Sequence, residues 1–279
     1  FSFGEVLIGD ARVKQANIHG LNVAAELETL ELSPWIEFVD GLSNKAADMT
    51  DDTAPSPLKK VQLDIKELNA FGQKFSQAQL EISPEKDRWE VNLLGEDIRG
   101  EVLLPTNDDD LDVRLSYISL STLENETTLE SGDKSIDPRE IPAASFSSQQ
   151  IIVDGKNYGS WSAGLDPYAD GLKFSAIEGK IKGSEISGQL NWQAFDAGNQ
   201  NSILTLDVKG DHFENLLSTL DFGQVVSSSK YNASLALVWP ESPLNFDLAQ
   251  LSGNFNLELN DGFIKTDDEK TAVLRLFGI

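Results

Sequence analysis

Cysteine is absent from this chain of 279 residues, and histidine occurs only twice. Without cysteine, disulfides, thiolate chemistry and zinc–sulfur sites are excluded. His19 and His212 lie far apart in the sequence, and neither has a partner at the spacing of metal ligands, so we interpret both as structural or exposed residues. Apolar runs of about 18 residues are also missing, so no segment is predicted to cross a membrane as a helix.

Basic residues are scarce as well. The 22 lysines and arginines stand against 46 acidic residues, which gives a net charge of −24. Phosphate binding requires clustered positive charge, so the composition argues against nucleic acid and against electrostatic docking on an anionic bilayer. We interpret the acidity as a solvated surface that keeps the protein soluble.

Period-two alternation of apolar and polar residues is the dominant pattern in the sequence. It recurs in short runs that end in Gly, Asn, Asp or Pro, as in strands with one apolar face. The apolar members are Leu63, Ile65, Ala78, Leu80, Ile82, Trp89, Val91, Leu93, Leu111, Val113, Leu115, Leu204, Leu206, Val208, Leu235, Leu237, Trp239, Phe255, Leu257 and Leu259. The pattern predicts an all-β fold built as an antiparallel meander.

Helix signals are few, and two connections look poorly ordered. Ser33–Leu42 begins with an N-cap serine followed by proline, and Asp211–Leu220 has apolar residues at helical spacing, so each predicts a short helix. The stretch from Ser43 to Pro57 is rich in Asp, Ala and Pro, and that from Glu124 to Pro138 is rich in Glu, Ser and Thr. Both compositions are typical of linkers.

An internal repeat accompanies the alternation. A shift of 83 positions places Phe71 on Asp154, keeps the register for about 40 residues and superposes Pro84 on Pro167. From this repeat we predict four parts. Residues 1–54 hold the tail of a preceding repeat and a linker, residues 55–136 and 137–228 are two repeat units, and residues 229–279 are a truncated closing unit. Stacked units of this kind form one continuous elongated body.

The first residue, Phe1, is not a natural start, and the last residues stand mid-pattern, so we interpret the chain as a piece of a longer protein.

Catalytic and ligand-binding motifs are weak. The segment Gly159–Gly164 has no serine in the Gly-x-Ser-x-Gly pattern, and Gly179, Gly183 and Gly188 lack the basic residue of a phosphate loop. The acidic cluster Asn107–Asp112 lacks the glycine and distal glutamate of a calcium-binding EF-hand, so we interpret it as a solvated hairpin tip. The sequence therefore predicts no enzyme activity, no cofactor and no metal.

Several segments together resemble a known family. They comprise a short helix, a strand ending in Trp-Pro, a Phe-x-Leu strand, a Leu-x-Gly strand and an Asp-Gly turn. They are Phe213–Leu217, Tyr231–Pro240, Ser242–Leu248, Leu251–Leu257 and Asp261–Ile264. In this order the segments resemble the AsmA-like C-terminal region of the YhdP family. That region ends in a Leu-Leu-Gly-like stretch, and Leu274–Gly278 lies at the corresponding place.

Two earlier segments extend the resemblance. Asp137–Pro142 matches a proline-led repeat entry in that family, and Leu30–Trp35 is similar to its strand-to-helix step. The sequence departs from the family in its acidity, most clearly at Asp267–Glu269.

The resemblance implies an inner-membrane-anchored protein that extends through the Gram-negative periplasm as a bridge-like lipid transporter. It implies an elongated, curved antiparallel β-sheet, shaped like a groove or taco, whose concave apolar face shields phospholipid acyl chains. Other envelope proteins are further expected partners, and membrane contact is expected through parts outside this chain. The expected groove residues are Leu63, Ile65, Leu80, Ile82, Val91, Leu165, Phe174, Leu190, Leu235, Leu237, Phe255 and Leu257.

Alternation alone leaves other interpretations open. The same apolar residues would also suit the dry core of a β-sandwich, because period-two spacing is identical in both cases. Two other functions also stay open: a structural or assembly factor of the envelope that binds protein partners at open sheet edges, and a β-sandwich hydrolase or carbohydrate-binding module.

Overall fold

The computed structural model describes residues 3–9, 20–32, 58–70, 73–107, 109–121, 136–195, 198–220, 226–243, 245–246 and 248–264. The chain divides into two compact units, Phe1–Thr128 and Leu129–Ile279. Strands dominate both units, so the predicted all-β fold is confirmed. Within the described residues, every helix is too short or too polar to cross a bilayer.

The first unit is a sheet whose strands lie side by side in sequence order. They are β1 (Phe3–Ile8), β2 (Gly20–Glu31), β3 (Leu58–Ala70), β4 (Gln73–Pro84), β5 (Arg88–Leu94), β6 (Ile98–Pro105) and β7 (Leu111–Leu120). From β3 to β7 neighbouring strands are antiparallel. In contrast to the predicted meander, β1, β2 and β3 pair in parallel. Parallel neighbours cannot be joined by a tight hairpin and need longer crossover connections.

The second unit holds the remaining strands and an α-helix. They are β8 (Ala144–Ser148), β9 (Ile151–Val153), β10 (Lys156–Asn157), β11 (Ser160–Tyr168), β12 (Gly171–Ile181), β13 (Ser184–Ala194), β14 (Gln200–Asp211), α1 (Phe213–Thr219), β15 (Val226–Ser227), β16 (Lys230–Pro240), β17 (Ser252–Asn260) and β18 (Phe263–Ile264). Its main sheet has the antiparallel order β8-β11-β12-β13-β14-β16-β17. Beside it, β9 pairs with β10, and β15 pairs with β18.

Two of the local predictions can be compared with these elements. The helix predicted over Asp211–Leu220 is present as α1, whereas the one predicted over Ser33–Leu42 lies outside the described residues. The stretch 43–57 and most of 124–138 also lie outside them. The division into repeats over 1–54, 55–136, 137–228 and 229–279 stays a prediction.

Candidate functional site: the apolar face of the second unit

One transverse row of apolar residues crosses the main sheet of the second unit. Residues directly opposite each other on neighbouring strands share a face of the sheet. The register pairs Leu165 with Phe174, Phe174 with Leu190, Leu190 with Leu204, and Leu204 with Leu237. Five strands, β11 to β14 and β16, therefore present a large apolar side chain on the same face. We call this surface the apolar face.

The neighbouring rows complete the apolar face. Leu206 lies opposite Leu235, which lies opposite Phe255, and Ala233 lies opposite Leu257. Alternation along β16 places Leu235 and Leu237 on one side, so these rows lie on the face already defined. The structure thus brings all seven groove candidates of the second unit onto one surface.

The five candidates of the first unit also share a face of their own sheet. Leu63 lies opposite Leu80, and Val91 lies opposite Ile82. Leu63, Ile65, Leu80 and Val91 are buried members of one apolar cluster, with Ile82 packed against it. Residues of a packed core are buried in the same way, so contact between these five residues and lipid stays a prediction.

Helix α1 covers one end of the apolar face. Its apolar residues Phe213, Leu216 and Leu217 are buried in a cluster with Ile186 and Tyr231 of the sheet. The rings of Phe213 and Tyr231 lie 4.8 Å apart between centroids. A helix of seven residues gains little from its own hydrogen bonds, so this packing is what stabilises it in place.

Polar contacts tie the same end together. Glu214, in the first turn of α1, accepts a hydrogen bond from its own backbone N–H and another from the backbone N–H of Ser228, and these donors lower the pKa of its carboxyl group. Burial raises the pKa of the Tyr231 phenol, whose oxygen lies 2.5 Å from the Ser184 hydroxyl. His212, which precedes the helix with φ of 57°, places its Nδ1 3.4 Å from Glu214 Oε1.

Two tryptophans lie at the other end of the apolar face. Trp192 is buried, and its Nε1 donates to Gln200 Oε1, while Gln200 Nε2 donates to the carbonyl oxygen of Ile136. Trp239 is buried too, and its ring meets that of Phe246 edge-on, with centroids 5.3 Å apart. The segment around the buried Pro138 and the loop after β16 therefore close this end.

Between the two covered ends, the apolar side chains remain partly open to solvent. Leu165, Phe174, Leu204, Leu206, Leu235, Leu237 and Leu257 are half-buried. Leu190 is buried, and Phe255 is 47% exposed. We call this stretch the open strip. Alternation could identify its residues, but it held no signal for the covers, because a strand's own pattern does not encode which neighbouring segment packs on it.

The opposite face of the same sheet carries a row of polar residues. A concavity of about 810 Å³ spans β8 to β17 along a row that includes Ser162, Glu178, Ser187, Asp207 and Ser234. The concave apolar face that the resemblance implies stays a prediction. Within the lining of this concavity, the Lys209 ammonium lies 3.1 Å from the Glu185 carboxylate and lowers the pKa of that carboxyl group.

Metal ligands do not converge in the part of the chain that the structure describes. No group of three or more His, Asp or Glu side chains there is arranged to hold a metal ion. At the predicted hairpin tip, Asn107 Nδ2 donates to Asp109 Oδ2, while Asp108 and His19 lie outside the described residues.

Comparison with known proteins gives one result. The family model described as YhdP protein matches residues 1–279, the whole chain. No curated protein and no solved structure gives a significant match. Because the family model covers the full length of the chain, this chain belongs to the YhdP family.

Proposed function

We propose that the chain is a segment of a periplasmic, bridge-like lipid transfer protein, and that its open strip shields phospholipid acyl chains between the inner and outer membranes. The observation that carries the proposal is the half-buried apolar strip of the second unit, bounded by α1 at one end and by the tryptophan region at the other. Membership of the YhdP family supports it, because that family fits a bridge-like transfer role.

The dimensions of the open strip suit an acyl chain. The strip crosses β11 to β14, β16 and β17, and neighbouring strands lie about 4.8 Å apart, so it extends for about 24 Å. The hydrocarbon core of a bilayer is about 30 Å thick, so one leaflet's acyl layer is about 15 Å deep. A single acyl chain therefore fits along the strip, perpendicular to the strands.

Hydrophobic burial provides the driving force for such binding. Each methylene removed from water contributes about 0.8 kcal/mol, so partial shielding of one chain amounts to several kcal/mol. No polar anchor is required, and the head group stays in water. Rows of similar leucines provide many equivalent positions, which permits sliding. The function proposed is accordingly non-catalytic, with the complete protein anchored in the inner membrane by parts outside this chain.

Native mass spectrometry of the purified chain tests the proposal. We expect adducts with the mass of diacyl phospholipids on the 30.6 kDa chain, released when the detergent concentration rises. Delipidated protein should regain them after incubation with phospholipid vesicles. A chain that shows only its own mass after purification, and again after incubation with vesicles, would contradict the proposal.

A second candidate function, carbohydrate binding, is favoured by the polar concavity. Its hydroxyl, amide, carboxylate and ammonium groups include Lys180, Glu185, Asp207, Lys209 and Asn232. The lining holds four carboxylates and two ammonium groups, so its mixed donors and acceptors suit a neutral, polyhydroxylated ligand better than an anionic one.

Titration with neutral oligosaccharides distinguishes this candidate. If it is correct, Asp207→Ala should weaken oligosaccharide binding about tenfold, because a charged hydrogen bond contributes about 1.5–3 kcal/mol. Phospholipid adducts should stay unchanged in the same variant. Absence of oligosaccharide binding to the unaltered chain would remove this candidate and leave the lipid proposal standing.

A further inference from the structure

Helix α1 lies on an apolar row that continues the open strip. In the register of the sheet, Ile186 lies opposite Val208, which lies opposite Ala233. This row is two residues, or about 7 Å, along the strands from the row of Leu206 and Leu235 in the open strip. Its three residues are buried in one cluster with the apolar residues of α1. We call it the covered row. It shares the side and the apolar chemistry of the open strip, and differs in having the helix on top.

The strand order of the sheet does not depend on α1. The helix belongs to the connection between β14 and β16, and these two strands pair directly with each other along their length. Strand β13 likewise pairs with β14 at every one of its residues. Lifting α1 from the covered row would therefore break no hydrogen bond of these two ladders.

Packing of apolar side chains holds α1 on the sheet. The helix has seven residues, fewer than the about 12 that an isolated helix needs. Its N-cap residue, His212, has the left-handed conformation, with φ of 57° and ψ of 70°, and forms no side-chain capping bond to the described helix. An alkyl chain can replace apolar contacts of this kind, because no hydrogen bond is lost in the exchange.

A polar contact fastens the first turn of α1 to the sheet. The Glu214 carboxylate accepts a hydrogen bond from the backbone N–H of Ser228 at 3.3 Å. The Ser228 hydroxyl lies within hydrogen-bond distance of the carbonyl oxygens of Lys230 and Asn260, which are opposite each other on β16 and β17. Glu214 is therefore a latch between the helix and the sheet, and it can be removed without changing the covered row.

We propose that the covered row is a second acyl-binding surface and that α1 is its lid. The lid rests on the row while no lipid is bound, and it gives way when an acyl chain passes from the open strip onto Ile186, Val208 and Ala233. Because the two surfaces are continuous on one face of the sheet, both take the same ligand. This inference rests on the lipid function proposed above.

Hydrogen–deuterium exchange of the unaltered chain tests the lid. A helix of seven residues that leaves the sheet cannot keep its hydrogen bonds, so the amides of α1 should exchange at least about tenfold faster once dioleoylphosphatidylcholine vesicles are added. The amides of β13, whose pairing does not involve α1, should exchange as before.

Native mass spectrometry of the same samples separates the two proposals. If lipid adducts form while exchange in α1 slows or stays the same, the helix is a fixed wall. That result would overturn the lid and leave the lipid function standing. If no adducts form, both proposals fail.

Removing the latch gives an independent test. The lid competes with the acyl chain for the covered row, so Glu214→Ala should raise the affinity for a fluorescent acyl probe about threefold to tenfold. Glu85→Ala is the control, because it removes an exposed carboxylate from a turn of the first unit, and its affinity should stay within about twofold of the unaltered chain. If α1 is part of a fixed binding wall, Glu214→Ala leaves the affinity unchanged or lowers it, and either outcome would overturn the lid.

Discussion

Replacing Leu237 by aspartate is expected to weaken acyl-chain binding at least tenfold. Leu237 is a half-buried residue of the open strip, opposite Leu204 on β14 and Gly253 on β17. Gly253 has no side chain, so Leu237 has no side chain beside it on β17. An alkyl chain that follows this row therefore contacts Leu237 directly. A carboxylate there must lose water when the alkyl chain covers it, and even a partial desolvation cost of about 1.4 kcal/mol is a tenfold loss of affinity.

The next residue along β16 provides the matched control. Ala236 is exposed on the polar face, so Ala236→Asp adds the same charge to the same strand on the opposite side of the sheet. Binding of a fluorescent acyl probe, measured for both variants, should fall for Leu237→Asp and stay within about twofold for Ala236→Asp. Far-UV circular dichroism should be the same for both. Equal affinities would show that acyl chains do not lie on the apolar face.

The same pair of variants separates an open strip from a dry core. If the half-buried leucines only close a core, Leu237→Asp should lower the free energy of unfolding by about 1–3 kcal/mol, and the unaltered chain should not bind the probe at all. If they form the open strip, the unaltered chain binds the probe and the variant loses it. The alternation of the sequence is identical in the two cases, so only measurement of this kind distinguishes them.

Much of the candidate site could be predicted from the sequence, because a strand of period two needs no tertiary information to assign its faces. Leu235 and Leu237 must share a side of β16, and the same holds for Phe255 and Leu257 on β17. The antiparallel pairing of consecutive strands then brought these sides together, as the register shows. The all-β class followed from the same regularity.

Other features depend on contacts between distant segments and left no local signal. The parallel pairing of β1, β2 and β3 depends on where the crossover connections lead, which a strand's own pattern does not encode. The helical spacing around Leu216 predicted α1, but not that the helix covers one end of the apolar face. Which leucines are buried and which half-buried depends on these covers.

Replacing Trp239 by alanine is expected to lower the free energy of unfolding of the second unit by about 3–5 kcal/mol, the usual cost of deleting a buried tryptophan. Trp239 is 4% exposed, and its Nε1 donates to the carbonyl oxygen of Ser242 at 3.2 Å. It also lies opposite the fully buried Ser202 on β14. The truncation removes the packing that closes one end of the apolar face and leaves the Ser242 carbonyl without its donor.

Two further variants separate the contributions of the Trp239 side chain. Trp239→Phe keeps most of the ring and should cost clearly less than the alanine variant, whereas Phe246→Ala removes a half-exposed ring and should cost about 0.5–1.5 kcal/mol. Urea unfolding followed by far-UV circular dichroism gives all three values without relying on tryptophan fluorescence. A cost below about 1 kcal/mol for Trp239→Ala would mean that Trp239 does not hold this end closed. In that case the open strip would continue along the strands beyond the position of Trp239, and its boundary at this end would have to be sought in the segment around Pro138 alone.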